Sequence, residues 1–221
     1  MELYEVMKTT FAARQFKVDP VSDETTYRIL ENARFAPSGG NRQGWHVIVI
    51  KDQAKRDALV PLVRSTMQRY RAQVNAGENP FNTIAPSQVT PEQIATTEVP
   101  ASLIEGVLGA PLLLLVAVDL KVVASMDSEL DRVGVISGAS IYPFVWNILT
   151  AARNEGLGGT LTTFVTAHEP HVKELFGLPD DHALAALVPI GKPVKQLTKL
   201  RRNPVSSFTT VNTFNGEKFV G

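Results

Sequence analysis

The segment from Ala36 to His46 holds several groups that could bind a ligand. Its glycines permit close backbone approach, its serine supplies a small hydroxyl, and Asn41 and Gln43 each offer a hydrogen-bond donor and an acceptor. These groups could bind a flat heteroaromatic ring that carries donors and acceptors of its own. The segment could equally be a plain connector, in which Asn41 caps the turn and Trp45 belongs to the core. The residues alone do not decide between these interpretations.

Arginines near both ends of the chain are candidates for binding a phosphate. Arg14 is expected near the end of a first helix, and the pair Arg201 and Arg202 lies almost the whole chain away, near the C-terminus. A guanidinium fork can donate two hydrogen bonds to one phosphate, so a fold that joined these residues would form a clamp, whereas each one alone is more often a surface charge. The net charge is zero, so an anion site must be local, and we expect no binding to nucleic acid or to an anionic membrane.

The run Gly158–Thr163 offers backbone amides and hydroxyls directly after a predicted helix. Backbone amides aimed at a bound ring would stabilise negative charge that develops on that ring. The alternative is a turn whose hydroxyls are satisfied by nearby backbone groups.

Several other chemistries lack the residues they need. The chain has no cysteine, which excludes disulfides, thiolate nucleophiles and iron–sulfur clusters. The run from Gly156 to Leu161 lacks the last glycine of a dinucleotide-binding turn, and neither a phosphate-binding loop nor a hydrolase serine motif occurs. His168 and His171 have the wrong spacing for a zinc helix, so we expect no metal site. Redox chemistry would therefore require a bound organic cofactor.

The hydrophobic pattern predicts the elements that would position these groups. In the first half, we predict a helix from Leu3 to about Ala13 and a second helix, capped by Ser22 or Asp23, that ends at the Pro-Ser-Gly-Gly turn. The β-branched run His46–Ile50 is typical of a strand. A basic helix is predicted from about Gln53 to Val74.

In the second half, residues 75–100 form a polar, proline-containing insertion that predicts a lid or a mobile loop. The continuous apolar run Pro111–Val118 predicts a central strand covered on both faces. Gly134 to Glu155 predicts a long helix, buried on nearly all sides and ending at Gly156. The apolar run Ala185–Ile190 predicts another strand.

We expect one domain over residues 1–221. Its tail, residues 199–221, has little core of its own and is expected to pack on another subunit. The first five residues carry no secretory signal, and polar residues interrupt the uncharged stretch from Gly134 to Ala152. We therefore expect a cytoplasmic protein without a membrane span.

These segments, in this order, resemble the FMN-dependent nitroreductase family. The resemblance extends from about residue 5 to 205, and the pattern A-P-S-x-x-N-x-Q-x-W is its most specific single motif. The matching segments are Arg14-Gln15-Phe16, Pro20 to Glu24, Ala36 to Trp45, Gly156-Leu157-Gly158, Ile190 to Pro193 and Arg201 to Pro204.

The resemblance implies a role in FMN binding for each matching site residue. The FMN phosphate would be held by Arg14 and Arg202, with Arg201 beside them. The ribityl chain and the ring would be lined by Pro37, Ser38, Gly39 and Asn41, with Gln43 close by. The ring near its N5 atom would contact Leu161, Thr162 and Thr163. No side chain is implied to act as a catalytic group, because the flavin itself carries the reaction.

The family fold is α+β, with a mostly antiparallel sheet wrapped by helices in an intertwined homodimer whose C-terminal extension lies on the partner. The implied activity is ping-pong reduction of nitroaromatics or quinones: NADPH or NADH would reduce tightly bound FMN, and a small-molecule acceptor would reoxidise it. Enone reduction, dehalogenation and flavin destruction stay open as alternatives, as does a protein that binds flavin without turnover.

The chain departs from the family pattern in its first element. Thr10, Phe11 and Ala12 stand where the family usually has arginine and serine. Two expected partners of the phosphate or ribityl chain are therefore absent, and Phe11 could pack against the flavin instead. The remaining arginines could suffice, because one charged hydrogen bond contributes roughly 1.5–3 kcal/mol.

Overall fold

Four antiparallel strands form the central sheet of the computed structural model, which describes residues 1–220. They are β1 (Trp45–Val49), β2 (Leu112–Asp119), β3 (Gly158–Gly159) and β4 (His182–Gly191), in the order β1-β2-β4-β3. Leu114 of β2 lies opposite Val49 of β1 and Val188 of β4. The apolar run that begins at Pro111 is therefore the central strand, as its composition predicts.

Helices lie on both faces of this sheet, and α2 and α6 pack on the face opposite to α3 and α5. Their bounds are α1 (Leu3–Thr9), α2 (Asp23–Ala33), α3 (Gln53–Asn75), α4 (Pro91–Thr96), α5 (Ala101–Leu108), α6 (Tyr142–Asn154) and α7 (Glu169–Phe176).

Alternate side chains of β2 enter two separate cores, because successive residues of a strand face opposite sides of a sheet. Leu114 packs with Ile29 of α2 and Ile148 of α6. Leu115, the next residue, packs with Leu59 of α3 on the other face. All these side chains are buried, so the apolar run of β2 holds the three layers together through hydrophobic burial.

Several predicted boundaries are confirmed. Helix α2 begins after Ser22, whose Oγ accepts the Thr25 amide at 3.1 Å. Helix α3 covers the predicted range and ends at Asn75. Gly156 follows α6 with a φ of 77°, a left-handed value that glycine adopts readily after a helix.

The first helix is shorter than predicted, since α1 ends at Thr9 and not at Ala13. Ala12 instead forms a parallel bridge to Gly159 of β3, and the Ala13 amide donates to the Gly159 carbonyl at 3.0 Å. This pairing gives the backbone a hydrogen-bond partner outside the helix. Arg14 consequently lies on an extended arm and not near a helix end.

The helix predicted from Gly134 to Glu155 begins only at Tyr142. The residues before it form a loop and a short 3₁₀ turn at Ile136–Ser140. This loop is held by the buried carboxylate of Asp127, which accepts the Val135 amide at 2.8 Å. The prediction was wrong here because a buried polar anchor, unrecognisable from periodicity, keeps the segment out of the helix.

Helix α6 is also less buried than predicted. Part of its surface packs against α2 and the sheet, whereas Tyr142 and Trp146, one turn apart, are 42% and 47% exposed. In the described part of the chain, no helix combines the length and apolarity that crossing a bilayer requires.

The insertion at residues 75–100 is ordered against α3. Gln73, buried in α3, accepts the Phe81 amide at 3.1 Å, and Arg71 donates to the Glu98 carbonyl at 2.9 Å. Within the insertion, Thr90 caps α4. Helix α5, which follows directly, is not among the predicted elements. The role of the insertion as a lid stays a prediction.

The C-terminal tail adds nothing to the core of its own chain. None of residues 199–220 is buried, and Phe208 and Phe214 are 69% and 94% exposed. A bridge between Thr210 and Lys218 folds the end of the tail back on itself. Packing of this tail on a partner stays a prediction, and its last residue, Gly221, lies outside the described residues.

Candidate functional site

The turn between α2 and β1 holds its polar groups in a defined arrangement. Ser38 Oγ accepts the Gln43 amide at 3.0 Å, and Gln43 Nε2 donates to Asn41 Oδ1 at 3.2 Å. Gly40, Asn41 and Gln43 all have left-handed backbones, with φ values of 61°, 53° and 51°. This conformation is uncommon outside glycine, although asparagine tolerates it. The turn therefore has a tightly curled backbone that its own side chains hold in place.

The same turn is fastened to the region around α6. Gly39 donates its amide to Ser140 Oγ at 3.1 Å. Trp45 stacks on Phe144 with ring centroids 4.6 Å apart and an interplanar angle of 1°. Trp45 therefore packs with the core, as the connector interpretation predicts. The side chains of Pro37, Asn41 and Gln43 are exposed and Ser38 is half-buried, so their polar groups remain accessible to a ligand.

The N-terminal arm, β3 and the segment after β4 meet at one end of the sheet. Ala12 bridges Gly159, and Phe16 bridges Pro193. Val194 donates its amide to the Gln15 carbonyl at 3.0 Å. A Cβ atom on Gly159 would lie 2.7 Å from the Pro189 carbonyl oxygen, so the close approach of β3 to β4 requires glycine there.

A cavity of about 310 Å³ lies between the arm and the segment after β4, and we call it the Arg14 cavity. Arg14 and Lys195 both line it, and both side chains are exposed. Its other lining residues are Phe11, Ala13, Gln15 and Leu197. Lys195 is not among the predicted site residues, although its place shortly after the Gly-Lys-Pro that closes β4 is a sequence signal for it.

The C-terminal arginines lie elsewhere. Arg201 and Arg202 are exposed on the tail, and Arg202 Nη1 donates to the Arg201 carbonyl at 2.8 Å. Neither residue lines the Arg14 cavity. The clamp between them and Arg14 therefore stays a prediction.

The segment Leu161–Thr163 alternates between the sheet and solvent. Thr162 is buried, and its amide and carbonyl pair with Leu187 of β4 at 3.0 and 2.8 Å. Leu161 and Thr163 are exposed. The hydrogen bonds among residues 1–220 use the amide of Thr162 but not that of Leu161 or Thr163. Two backbone donors flanking a rigid position are thus available to a ligand, whereas the Thr162 side chain faces inward.

The titratable groups with shifted pKa values lie outside this region. The Val135 amide and the Arg132 guanidinium lower the pKa of Asp127 from its ordinary 3.8 to about 2. Hydrogen bonds from Lys121 and His182 lower the pKa of Asp181. Asp119, Asp181 and His182 form the one group of metal-ligand types within 4.8 Å of one another in residues 1–220; His168 and His171 are not part of it.

Sequence comparison identifies relatives over most of the chain. An iodotyrosine deiodinase from Nematostella vectensis is 26% identical over 207 residues, which cover 92% of this chain and 72% of that protein. A shorter match, 40% identical over 47 residues, reaches a 5,6-dimethylbenzimidazole synthase from Rhodospirillum rubrum, but it covers only 22% of that protein's length.

Solved structures share the fold. Oxidised iodotyrosine deiodinase bound to FMN and 3-iodo-L-tyrosine superposes with a TM-score of 0.69 at 22% identity, covering 96% of this chain and all of that one. The NADPH:FMN oxidoreductase from Vibrio harveyi, complexed with NAD+, gives a TM-score of 0.66 at 19% identity, covering 96% and 77% of the two chains. The model of the Nitroreductase family matches residues 8–192, a range that contains the arm, the turn and the segment Leu161–Thr163. The chain belongs to the Nitroreductase family.

Proposed function

We propose that this protein is an FMN-dependent oxidoreductase that takes electrons from NADPH or NADH and passes them to a nitroaromatic or quinone-type acceptor. The observation that carries the proposal is the pair of unused backbone amides at Leu161 and Thr163, beside the arm that bears Arg14. Such donors match a ring that becomes negatively charged on reduction.

The residues present fit FMN in charge and in hydrogen-bonding capacity. Arg14 and Lys195 supply two cations at one cavity, which suits a phosphate dianion. Arg201 and Arg202 would add to them from the tail. The turn offers a serine hydroxyl and two exposed amide side chains, which suit the ribityl hydroxyls and the ring carbonyls. These are contributed by Ser38, Asn41 and Gln43, next to Pro37 and Gly39.

When bound, FMN supplies the ability to accept and donate a hydride. The protein's own groups bind it and orient it. The amides of Leu161 and Thr163 would hold negative charge on the ring, while the buried Thr162 keeps them in place through its pairing with Leu187. No side-chain nucleophile is needed, which agrees with a chain without cysteine.

We further propose that the active form is a homodimer. The support is the exposed apolar surface of a single chain, with Trp146 on α6 and Phe208, Phe214 and Phe219 on the tail. Large exposed apolar side chains on a tail without a core of its own suit a surface that another molecule covers.

Reductive dehalogenation is the second candidate, because one relative that aligns with nearly the whole chain is a deiodinase. It would use the same flavin site and differ only in the acceptor. Product analysis with a nitroaromatic and with a halogenated phenol would separate the two reactions.

The visible absorption spectrum of the purified protein tests the main proposal. We expect oxidised-flavin bands that bleach with NADPH or NADH under anaerobic conditions and return when a nitroaromatic is added. A colourless protein that does not take up added FMN would overturn the proposal. Flavin bands that no nicotinamide bleaches would indicate a protein that binds flavin without turnover.

A further inference from the structure

A second cavity, of about 450 Å³, lies beside Thr163, and we call it the aromatic cavity. It opens between the C-terminal half of α3, the insertion and the segment after Thr163. Six residues form most of its wall: Thr66, Tyr70, Pro80, Phe81, Thr163 and Phe164. Its volume lies within the range of about 300–1,000 Å³ that small-molecule sites occupy.

Three aromatic rings surround this cavity. Tyr70 and Phe164 meet edge to face, with centroids 6.0 Å apart and an interplanar angle of 82°. Phe81, on the insertion, is the third aromatic residue of the wall, and the Arg69 guanidinium lies 4.9 Å from its ring centroid. Aromatic walls in offset and edge-to-face arrangements favour a planar ring as the ligand.

Charge is absent from the wall of the aromatic cavity: no charged side chain of residues 1–220 lines it. The hydroxyls of Thr66 and Thr166 already donate to the carbonyls of Leu62 and Thr163, at 3.2 and 2.7 Å. The Tyr70 hydroxyl makes no hydrogen bond within residues 1–220 and remains available to a ligand. A carboxylate inside this cavity would lose its hydration without a cation in the wall to pair with, because Arg69 contacts the Phe81 ring but does not line the cavity.

The backbone at Phe81 is specifically held in place. Phe81 is a non-glycine residue with a φ of 54°, and its amide donates to the Oε1 atom of Gln73, which is only 2% exposed. Glu78 closes the insertion behind it by accepting hydrogen bonds from Ser87 and Gln88 at 2.6 and 2.7 Å. A bulky residue keeps a left-handed backbone only where its surroundings impose it. The ring of Phe81 is therefore built into the cavity wall.

We propose that the aromatic cavity binds the electron acceptor and selects neutral, planar aromatic molecules over carboxylated or zwitterionic ones, with Phe81 as a specificity-determining residue. The inference rests on the proposed function, because it is the expected flavin contact at Thr163 that makes this cavity the acceptor site. It also separates the chain from the iodotyrosine deiodinase of known structure, which is bound to the zwitterion 3-iodo-L-tyrosine.

Calorimetric titration of the oxidised protein, saturated with FMN and without reductant, tests this selectivity. The probes are 4-nitrobenzyl alcohol and 4-nitrobenzoate, which share a ring and differ in charge. We expect the neutral alcohol to bind at least tenfold more tightly. Phe81→Ala should weaken binding of the alcohol about tenfold, and Phe81→Leu, which keeps apolar bulk, should weaken it less. Ile84→Ala, in the same insertion and 93% exposed, should leave it unchanged.

Equal or tighter binding of the benzoate, or unchanged binding of the alcohol in Phe81→Ala, would overturn the inference. The two failures remain distinguishable. If binding is selective for the neutral alcohol but NADPH does not reduce the flavin, the aromatic cavity stands as a binding site and the proposed function is wrong. If NADPH reduces the flavin and an acceptor reoxidises it, but ligand binding depends neither on charge nor on Phe81, the proposed function stands and the assignment of the acceptor site is wrong.

Discussion

Arg14 and Lys195, from opposite ends of the chain, line one cavity of about 310 Å³. They are brought together by backbone pairing, since Val194 donates its amide to the Gln15 carbonyl. Lys195 therefore adds a second cation beside Arg14. The addition is relevant because Thr10, Phe11 and Ala12 replace the arginine and serine that are usual in the first element of the family.

Arg14→Ala and Lys195→Ala should each weaken FMN binding about tenfold or more, because each removes one charged hydrogen bond to the phosphate, worth roughly 1.5–3 kcal/mol. Riboflavin, which lacks the phosphate, should bind these variants and the parent protein alike. Fluorescence titration of the apoprotein with both ligands measures the difference. Lys8→Ala, an exposed lysine of α1, is the control. Equal losses for riboflavin and FMN would contradict a phosphate contact.

Thr163→Pro should slow reduction of the bound flavin by NADPH by about 10²–10³, the effect typical of removing one preorganised donor from a site of developing charge. Proline removes the backbone N–H, whereas Thr163→Ala keeps it and should stay within a few-fold of the parent protein. Anaerobic stopped-flow absorbance gives the rates. Thermal melting of both variants checks that the proline variant is folded, and similar rates in two folded variants would rule out a donor role for this amide.

Asp127→Asn should flatten the acid dependence of stability. The pKa of the Asp127 carboxyl lies at about 2 in the folded chain, below its ordinary 3.8, because the Val135 amide and Arg132 stabilise its charged form. Its contribution to the free energy of unfolding is therefore fully present above about pH 4 and is lost as the pH falls towards 2. Urea midpoints at pH 7, 4 and 2.5 should fall more steeply for the parent protein than for the asparagine variant. If the midpoints of the two proteins fall in parallel with pH, the Asp127 carboxylate does not stabilise the folded loop before α6.

Phe214→Asp should weaken the proposed homodimer at least tenfold, about 1.4 kcal/mol, because it places a charge on a tail that is expected to lie against the partner. Phe214 is 94% exposed in the single chain, so the substitution should leave the fold of that chain intact. Sedimentation at several concentrations measures the change. Phe35→Asp, 73% exposed and outside the tail, is the control. A parent protein that is monomeric with FMN bound would refute the dimer.

Much of the fold could be predicted from the sequence because its signals are local. The uninterrupted apolar run after Pro111 is too short to span a bilayer and suits a strand covered on both faces, and β2 is that strand. Ser22 caps α2 through an amide three residues away, and Gly156 ends α6 because its left-handed backbone favours glycine. The turn from Ala36 to Trp45 could be recognised for the same reason, since its small and amide residues are contiguous.

Tertiary structure alone decided the features that depend on residues distant in the chain. Whether α1 continued to Ala13 depended on Gly159, which offers a competing hydrogen-bond acceptor. The start of α6 depended on the buried Asp127. The nearness of Lys195 to Arg14, and the placement of Phe81 beside Thr163, likewise require the sheet and α3 to be assembled first. Helical and strand periodicity indicates which face of an element is buried. It carries no information about which distant backbone group will pack against or hydrogen-bond to that element.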